Sequence, residues 1–336
     1  MKYHYLNKFT LICVLFALPF LLQAQSTYEK KWLEVNMLLS QRKPKSAYTK
    51  IEEIYALAKQ EKNAAQLVKA VIHKLKYVTM AKENELVKSL ETMQQEVKTA
   101  SFPEKPVLHS LLAQIYWQYY RRNRYRYNKR TALAKKVIQA DINTWDLRKI
   151  TEETMYHFRQ SLLEAKKLQK TKVDVMDNVI LKGKIEQRKL RPTLYDFLAH
   201  QAIRFFRSSE PNLIKPAYQF VINKPEYLAE ADAFVKLKIT TKDTASYKFY
   251  ALTILQDLVR FHLNDTNPEA LTDADLIRLK FVYSHLTANN KKELYLNSLR
   301  KLEQKSLKTP ISTEVSYAIA NLIYSNGSLY RPLQSD

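Results

Sequence analysis

The stretch most suited to binding chemistry alternates aromatic and basic residues between positions 116 and 130. Aromatic rings stack on planar groups while guanidinium groups neutralise anions, so this composition is typical of anion-binding surfaces. The alternative is a packing role, which is the usual one for aromatic residues at helical spacing. In that case Tyr116, Tyr119 and Tyr120 lie between helices, and the arginines lie along the rim of the packed surface. The candidate binding residues are Trp117, Tyr120, Arg121, Arg122, Arg124, Tyr125 and Arg126.

Candidate catalytic and metal-binding patterns are missing from the sequence. The histidines do not form the i, i+4 pair with glutamate that a helical zinc protease needs. Gly183 and Gly327 lie far apart, so neither a phosphate loop nor a nucleophile elbow is present. Neighbouring acids such as Glu52 and Glu53 point to different sides of a helix, whereas acid–base catalysis needs convergent carboxylates. The sequence therefore predicts no catalytic residue, no metal, no cofactor and no enzymatic activity.

The N-terminus has the layout of a secretory leader. A basic start precedes an apolar run from Phe9 to Leu22, and Ala24 supplies a small residue before Gln25. This run is shorter than the roughly 20 residues that a membrane span needs. We therefore predict a cleavable signal peptide over residues 1–24, with an uncleaved anchor as the alternative.

The charge balance indicates the kind of partner. The chain has 55 basic and 33 acidic residues, a net charge of +22. For an exported protein the accessible anions are membrane headgroups, cell-wall polymers and acidic proteins, so we expect weak attraction to an anionic envelope surface and no nucleic acid. Solvated helix faces are the plainer explanation of the lysines. Cys13, the single cysteine, lies inside the predicted leader, which leaves no thiol or disulfide in the mature chain.

The elements that position these residues are predicted to be helices. Apolar side chains recur every three or four residues almost throughout the chain, which contains only 2 glycines. This pattern predicts an all-α fold, an α-solenoid of antiparallel, tetratricopeptide-like helix pairs. Three helices have predicted N-caps, Thr193 as a capping box with Asp196, and Thr144 and Thr272 as simple caps.

The chain divides into two helical repeat segments at a turn-rich break near Gly183–Pro192. The N-terminal segment covers residues 25–190, and the C-terminal segment covers 191–336 and is expected to be truncated. An irregular, proline-containing insertion is predicted around 208–244. Two short parts of it are candidates for extended structure: Phe220–Ile222 and Phe234–Ile239.

Several strings carry a family resemblance: Leu108–Tyr120, Thr144–Asp146, Arg191–His200, Leu255–Leu258 and the pair Phe261–His262. Together they resemble the N-terminal helical region of very large bacterial alpha-2-macroglobulin-like proteins. The resemblance implies an exported protein in the periplasm, at the outer membrane or outside the cell. Full-length members trap proteases with a bait segment, β-domains and often a thioester, and the sequence contains none of these parts.

Two functions follow as expectations. The first is an exported, non-catalytic helical scaffold and interaction module, the N-terminal part of an alpha-2-macroglobulin-like protein whose partners are the remaining macroglobulin domains or another protein. The second is a self-standing periplasmic tetratricopeptide-like adaptor that binds a protein or an envelope polymer. The sequence leaves the partner and the oligomeric state open.

Overall fold

The structure is a computed structural model that describes residues 27–81, 83–128, 142–180, 183, 185–208 and 217–327. These ranges contain helices, turns and one isolated bridge between Lys172 and Thr193, with no β-strand. The all-α prediction is confirmed. The predicted leader, with its cleavage point between Ala24 and Gln25, lies outside the described ranges. Among the described residues, none of the helices combines the length and apolar character that crossing a membrane requires.

The longer helices carry most of the fold, and short turns connect them. The α-helices in chain order are α1 (27–40), α2 (Pro44–Gln60), α3 (Ala64–Ala81), α4 (Glu83–Thr99), α5 (Glu104–Arg122), α6 (Arg124–Asn128), α7 (Leu147–Gln160), α8 (Ala165–Lys170), α9 (Ile185–Leu190), α10 (Leu194–Phe206), α11 (Ala231–Phe234), α12 (Tyr247–His262), α13 (Glu269–His285), α14 (Lys291–Ser306) and α15 (Ser312–Gly327). Three 3₁₀ turns cover Ile142–Thr144, Val173–Met176 and Pro225–Leu228.

The chain forms two compact units. The first lies within Met1–Leu108 and Val175–Leu181, and the second within His109–Asp174 and Lys182–Asp336. The predicted boundary between residues 190 and 191 falls inside the second unit. Backbone hydrogen bonds join the two sides of it, from the Val173 amide to the Pro192 carbonyl at 3.0 Å and from the Leu194 amide to the Thr171 carbonyl at 2.8 Å.

The first unit packs consecutive helices against each other, α2 on α3 and α3 on α4. Its core contains Trp32 from α1, Ile51 and Ile54 from α2, and Leu67 from α3. The Trp32 indole N–H donates to the Gln66 side-chain oxygen at 2.8 Å, so the one polar atom of this buried ring has an acceptor. Apolar residues at helical spacing thus build the predicted adjacent pairs.

In the second unit, too, neighbouring helices pack against each other. Helix α12 packs on α10 and α13, and α14 packs on α13 and α15. Leu255, Leu258, Val282 and Leu299 lie at these contacts fully buried. Each such side chain contributes about 1.5–3 kcal/mol by leaving water. Within each unit the result is a solenoid-like arrangement of adjacent helix pairs.

Neither predicted extended segment forms a β-strand: Phe220–Ile222 is irregular chain, and Phe234–Ile239 starts at the last residue of α11 and continues through a turn. Side chains from distant helices satisfy several backbone carbonyls in this region. Arg278, fully buried on α13, donates to the carbonyls of Tyr227 and Ala229. Gln256 on α12 donates to the carbonyls of Phe234 and Leu237 at 2.9 and 2.8 Å. Carbonyls with these donors need no partner strand. The described part of the insertion, from residue 217, therefore contains short helical turns and irregular chain.

One cap prediction is confirmed and two are wrong. Thr193 and Asp196 form the predicted capping box of α10. Helix α7 is capped by Asp146 rather than Thr144, since the Asp146 carboxylate accepts from the Lys149 amide at 2.7 Å. Helix α13 starts at Glu269, directly after Pro268, whose fixed φ is compatible with a helix, so Thr272 lies inside the helix.

Candidate functional site

The predicted binding residues lie where α5 ends and α6 begins, with Asn123 as the single residue between them. The Asn123 amide donates to the carbonyls of Tyr119 and Tyr120, both at 3.1 Å, and its side-chain nitrogen donates to Tyr119 at 2.9 Å. These bonds satisfy carbonyls at the end of α5 that have no partner within the helix. The aromatic and basic residues on either side of Asn123 are thereby held in a fixed turn.

Two of the predicted binding residues contribute to packing. The Trp117 ring is half-buried, with its centre 4.9 Å from that of Phe205 on α10 in an edge-to-face arrangement. Tyr120 is buried with its ring 4.9 Å from Trp117, and Tyr116 and Tyr119 are buried as well. For these aromatics the structure follows the packing alternative, in which rings from several helices form a shared cluster.

The basic part of the same stretch faces solvent. Arg121, Arg122, Arg124 and Tyr125 are exposed, Tyr125 by 74%. The side chain of Arg126 lies outside the described part. We refer to Arg121, Arg122, Arg124 and Tyr125 as the arginine surface. Arg121 and Arg122 occupy the last turn of α5, where positive charge is favoured by the helix dipole.

A second constellation, missed at the sequence level, joins α10 to the end of α12. The His262 Nε2 atom lies 2.6 Å from Asp196 Oδ1, and its Nδ1 atom lies 2.6 Å from Asp265 Oδ2. His262 and Asp196 are almost completely buried. The second Asp196 oxygen accepts from the Thr193 amide at 2.8 Å and from the Thr193 hydroxyl at 2.7 Å. We refer to these four residues as the Asp–His network.

The charge of His262 follows from these contacts. Burial alone would lower the pKa of His262, but the hydrogen bonds and negative charges of Asp196 and Asp265 outweigh it and raise the pKa above its usual value. An ionised carboxylate only accepts hydrogen bonds, so both ring nitrogens must donate. The protonated imidazolium is the form that satisfies both contacts.

His200 and Asp273 connect the Asp–His network to α13. The His200 Nδ1 atom lies 2.7 Å from the Asp196 carbonyl oxygen, and its Nε2 atom lies 3.2 Å from Asp273 Oδ2. That second contact is an ion-pair distance without hydrogen-bond alignment. Arg191 Nε donates to the same Asp273 oxygen at 3.0 Å. Burial acts to raise the pKa of Asp273, but His200 and Arg191 together lower it. The carboxylate is therefore ionised near neutral pH.

The geometry decides what the Asp–His network can do chemically. An aspartate–histidine pair is also the core of a general base, which needs one ring nitrogen within reach of a substrate proton. In this protein carboxylates contact both nitrogens of His262, and the ring is 1% exposed. Within the described ranges, His, Cys, Asp and Glu side chains do not gather into a group of three suited to a metal ion. The contacts fasten α10 to α12.

In another buried contact, between two histidines, burial lowers the pKa of one ring instead of leaving it raised. His109 Nδ1 on α5 lies 2.8 Å from His157 Nδ1 on α7. Burial lowers the pKa of His157 to about 4. Aromatic rings surround the pair, with Tyr156 centred 5.1 Å and Tyr116 centred 5.7 Å from His157. One Nδ1 atom donates a hydrogen bond to the other, which joins α5 to α7.

A cavity of about 260 Å³ lies beside the buried Arg278. Arg278 Nε donates to Asp275 at 2.7 Å, and its guanidinium lies 4.3 Å from the centre of the Phe234 ring. At the cavity rim Glu230 accepts from Lys305 at 2.7 Å and from Lys301 at 2.9 Å. These two lysines lower the pKa of Glu230 to about 2. The charged groups of the cavity are thus engaged with each other.

Comparison with known proteins gives no relative: no family model, no curated protein and no solved structure matches the chain. The fold and the sites define an all-α protein of packed helix pairs with buried histidine contacts and an exposed arginine surface.

The strings Arg191–His200 and Phe261–His262 contain three of the four members of the Asp–His network, Thr193, Asp196 and His262, whereas Asp265 lies outside them. The helical spacing gave no sign that Asp196 and His262 pair across 66 residues.

Proposed function

We propose that this protein is an exported, non-catalytic helical scaffold that binds other polypeptides, the N-terminal part of an alpha-2-macroglobulin-like, protease-trapping protein. Its location would be the periplasm, the outer membrane or the extracellular space. The family assignment rests on the sequence strings. Those strings supply the buried contacts between helices, since Tyr116, Asp196 and His262 all belong to them.

The observation that carries the scaffold role is the separation of buried from exposed polar chemistry. Asp196 and His262 are buried and hydrogen-bonded to each other, and the half-buried Asp273 lies 3.2 Å from the buried His200. The arginine surface, in contrast, is exposed on a chain with a net charge of +22. A fixed turn that presents cations beside a packed aromatic cluster suits an acidic polypeptide segment.

A direct test compares two variants with equal charge changes. Arg121, Arg122 and Arg124 are replaced together by Gln, and the control replaces Lys236, Lys292 and Lys308, three exposed lysines elsewhere in the second unit. Fluorescence anisotropy with labelled poly-glutamate measures affinity. We expect the arginine variant to bind about tenfold more weakly or worse. The lysine variant should bind nearly as the original chain, because charges beyond the ~10 Å Debye length contribute little.

Equal weakening by both variants would mean that net charge alone attracts the polymer, which would remove the support for a specific surface. Circular dichroism melting of both variants serves as the folding control.

A self-standing adaptor for an envelope polymer is the second candidate, and the same exposed cations favour it. Vesicles of lipopolysaccharide distinguish it from the first. Stronger capture by these vesicles than by poly-glutamate, lost in the arginine variant and kept in the lysine variant, supports the adaptor. The reverse preference supports the polypeptide partner.

A further inference from the structure

Helix α15 is buried on one side and exposed on the other. Val315, Ala318 and Leu322 lie on its buried side, and α15 packs on α14. On the other side Tyr317 is 62% and Tyr324 is 77% exposed. Two large aromatic side chains one heptad apart, both in solvent, form an apolar face that an ordinary surface helix avoids.

The charge of α15 differs from that of the chain around it. Its sequence contains one acid, Glu314, and no lysine or arginine, although the whole chain carries a net charge of +22. Two copies of a strongly basic protein repel each other wherever lysines and arginines meet. A face without basic residues is where two copies approach at the smallest electrostatic cost.

Six of the exposed residues of α15 are arranged symmetrically about its middle: Ser316, Tyr317, Ala320, Asn321, Tyr324 and Ser325. Read from either end, a serine and a tyrosine come first, and Ala320 and Asn321 lie at the centre. Thr313, Glu314 and Ile323 are also exposed and lie outside this pattern. A two-fold axis between Ala320 and Asn321 would place Tyr317 opposite Tyr324 of a second copy, and Ser316 opposite Ser325. Two-fold interfaces require such a self-complementary surface.

We propose that two copies of this chain associate through the exposed face of α15, with the two helices antiparallel about that axis. The small residues at the centre let the helix backbones approach closely, and the two tyrosine pairs close the contact on each side. A second copy is favoured over an unrelated partner because each serine and each tyrosine of the symmetric set then meets a residue of its own type. This interface is separate from the arginine surface.

The size of the face sets the expected strength. A helix of 16 residues is about 24 Å long and covers less than the ~800 Å² per partner of a standard interface. We therefore expect reversible association with a dissociation constant in the range of about 1–100 µM. It should persist at about 0.5 M NaCl, where the Debye length is roughly 4 Å, because charged groups do not carry it.

Sedimentation velocity of the purified protein between about 1 and about 200 µM tests the proposal. Replacement of Tyr317 and Tyr324 together by Glu should leave a monomer throughout this range. The control replaces Leu163 and Tyr218, exposed large apolar residues elsewhere, by Glu and should still dimerise. A sedimentation coefficient that does not change with concentration, or a dimer that survives the Tyr317→Glu/Tyr324→Glu change, would overturn the proposal.

Cysteine cross-linking locates the axis independently. In a Cys13→Ser background an introduced cysteine is the single thiol of the chain. Asn321→Cys lies next to the proposed axis, so mild oxidation should yield a disulfide-linked dimer. Leu163→Cys, equally exposed to solvent, should remain monomeric. Equal cross-linking of both variants would mean random collision and would contradict the symmetric contact.

Discussion

Two histidine contacts in the second unit fasten helices in opposite ways. His262 lies between the carboxylates of Asp196 and Asp265, which raise its pKa. His157 lies against His109 and aromatic rings, with Glu153 Oε2 at 3.8 Å from its Nε2 atom, and burial lowers its pKa to about 4. The residue type is the same and both rings are buried. The neighbours therefore decide whether the histidine is charged.

The two contacts also have a structural feature in common. In each case the ring joins two helices that are far apart in sequence, α10 to α12 by His262 and α5 to α7 by His157. We infer that the buried titratable groups hold the helices together, and this is our central claim.

The largest effect is expected from Asp196→Ala. The change removes the capping oxygen of α10 and leaves His262 without its buried counter-ion. Breaking a buried pair from one side costs about 3–5 kcal/mol. Urea unfolding measures the loss in the free energy of unfolding. The control is Asp257→Ala, because Asp257 pairs with Arg260 at the surface and such pairs contribute at most ~1 kcal/mol. A loss below ~1 kcal/mol for Asp196→Ala would contradict the structural role of the pair.

The low pKa of His157 predicts that the protein loses folding stability in acid. In the unfolded chain His157 takes up a proton near pH 6.5, but in the folded protein its pKa is about 4. The unfolded state thus binds more protons, so stability decreases as the pH falls between these two values. His157→Leu should be less stable than the original chain at neutral pH by about 1–3 kcal/mol, since it removes the buried hydrogen bond between His109 and His157.

The same variant should show a smaller further loss of stability at pH 5. Thermal melts at pH 5 and pH 7 measure both effects, and an unchanged acid dependence in His157→Leu would be evidence against a buried neutral pair.

The raised pKa of His262 predicts that the protein loses stability as the pH rises, with a smaller effect near neutral pH than the change at His157. Its folded pKa is above the unfolded value, so its contribution is fully present below the unfolded pKa of about 6.5. The contribution is lost as the pH rises through the folded pKa. His262→Gln should remove the part of the stability decrease that follows from raising the pH above neutral. Melts from pH 6 to pH 9 test this, and identical slopes for both proteins would refute it.

The smallest effect is expected at the arginine surface. Arg121→Gln and Arg122→Gln remove exposed charges from the last turn of α5, where each contributes about 0.3–1 kcal/mol through the helix dipole. Chemical denaturation should therefore change little, while poly-glutamate binding weakens. A destabilisation above ~2 kcal/mol for either single change would place these arginines in the core instead.

Some local features of this fold were predictable, whereas the caps of α7 and α13 and the long-range contacts were not. The helices and the Thr193–Asp196 capping box depend on residues three or four positions apart, which a sequence displays directly. Burial of Trp117 depends on Phe205, which a different helix supplies. The irregular chain near Ala229 depends on Arg278, 49 residues away. The Asp196–His262 contact depends in the same way on how α10 and α12 pack.

A double-mutant cycle on Asp196→Asn and His262→Gln tests the central claim most directly. Urea unfolding of the original chain, both single variants and the double variant gives the interaction energy between the two side chains. The contact at 2.6 Å in a buried site predicts a favourable coupling of about 1–3 kcal/mol. Single changes whose effects add within ~0.5 kcal/mol would show that the pair does not hold α10 to α12, contrary to the central claim.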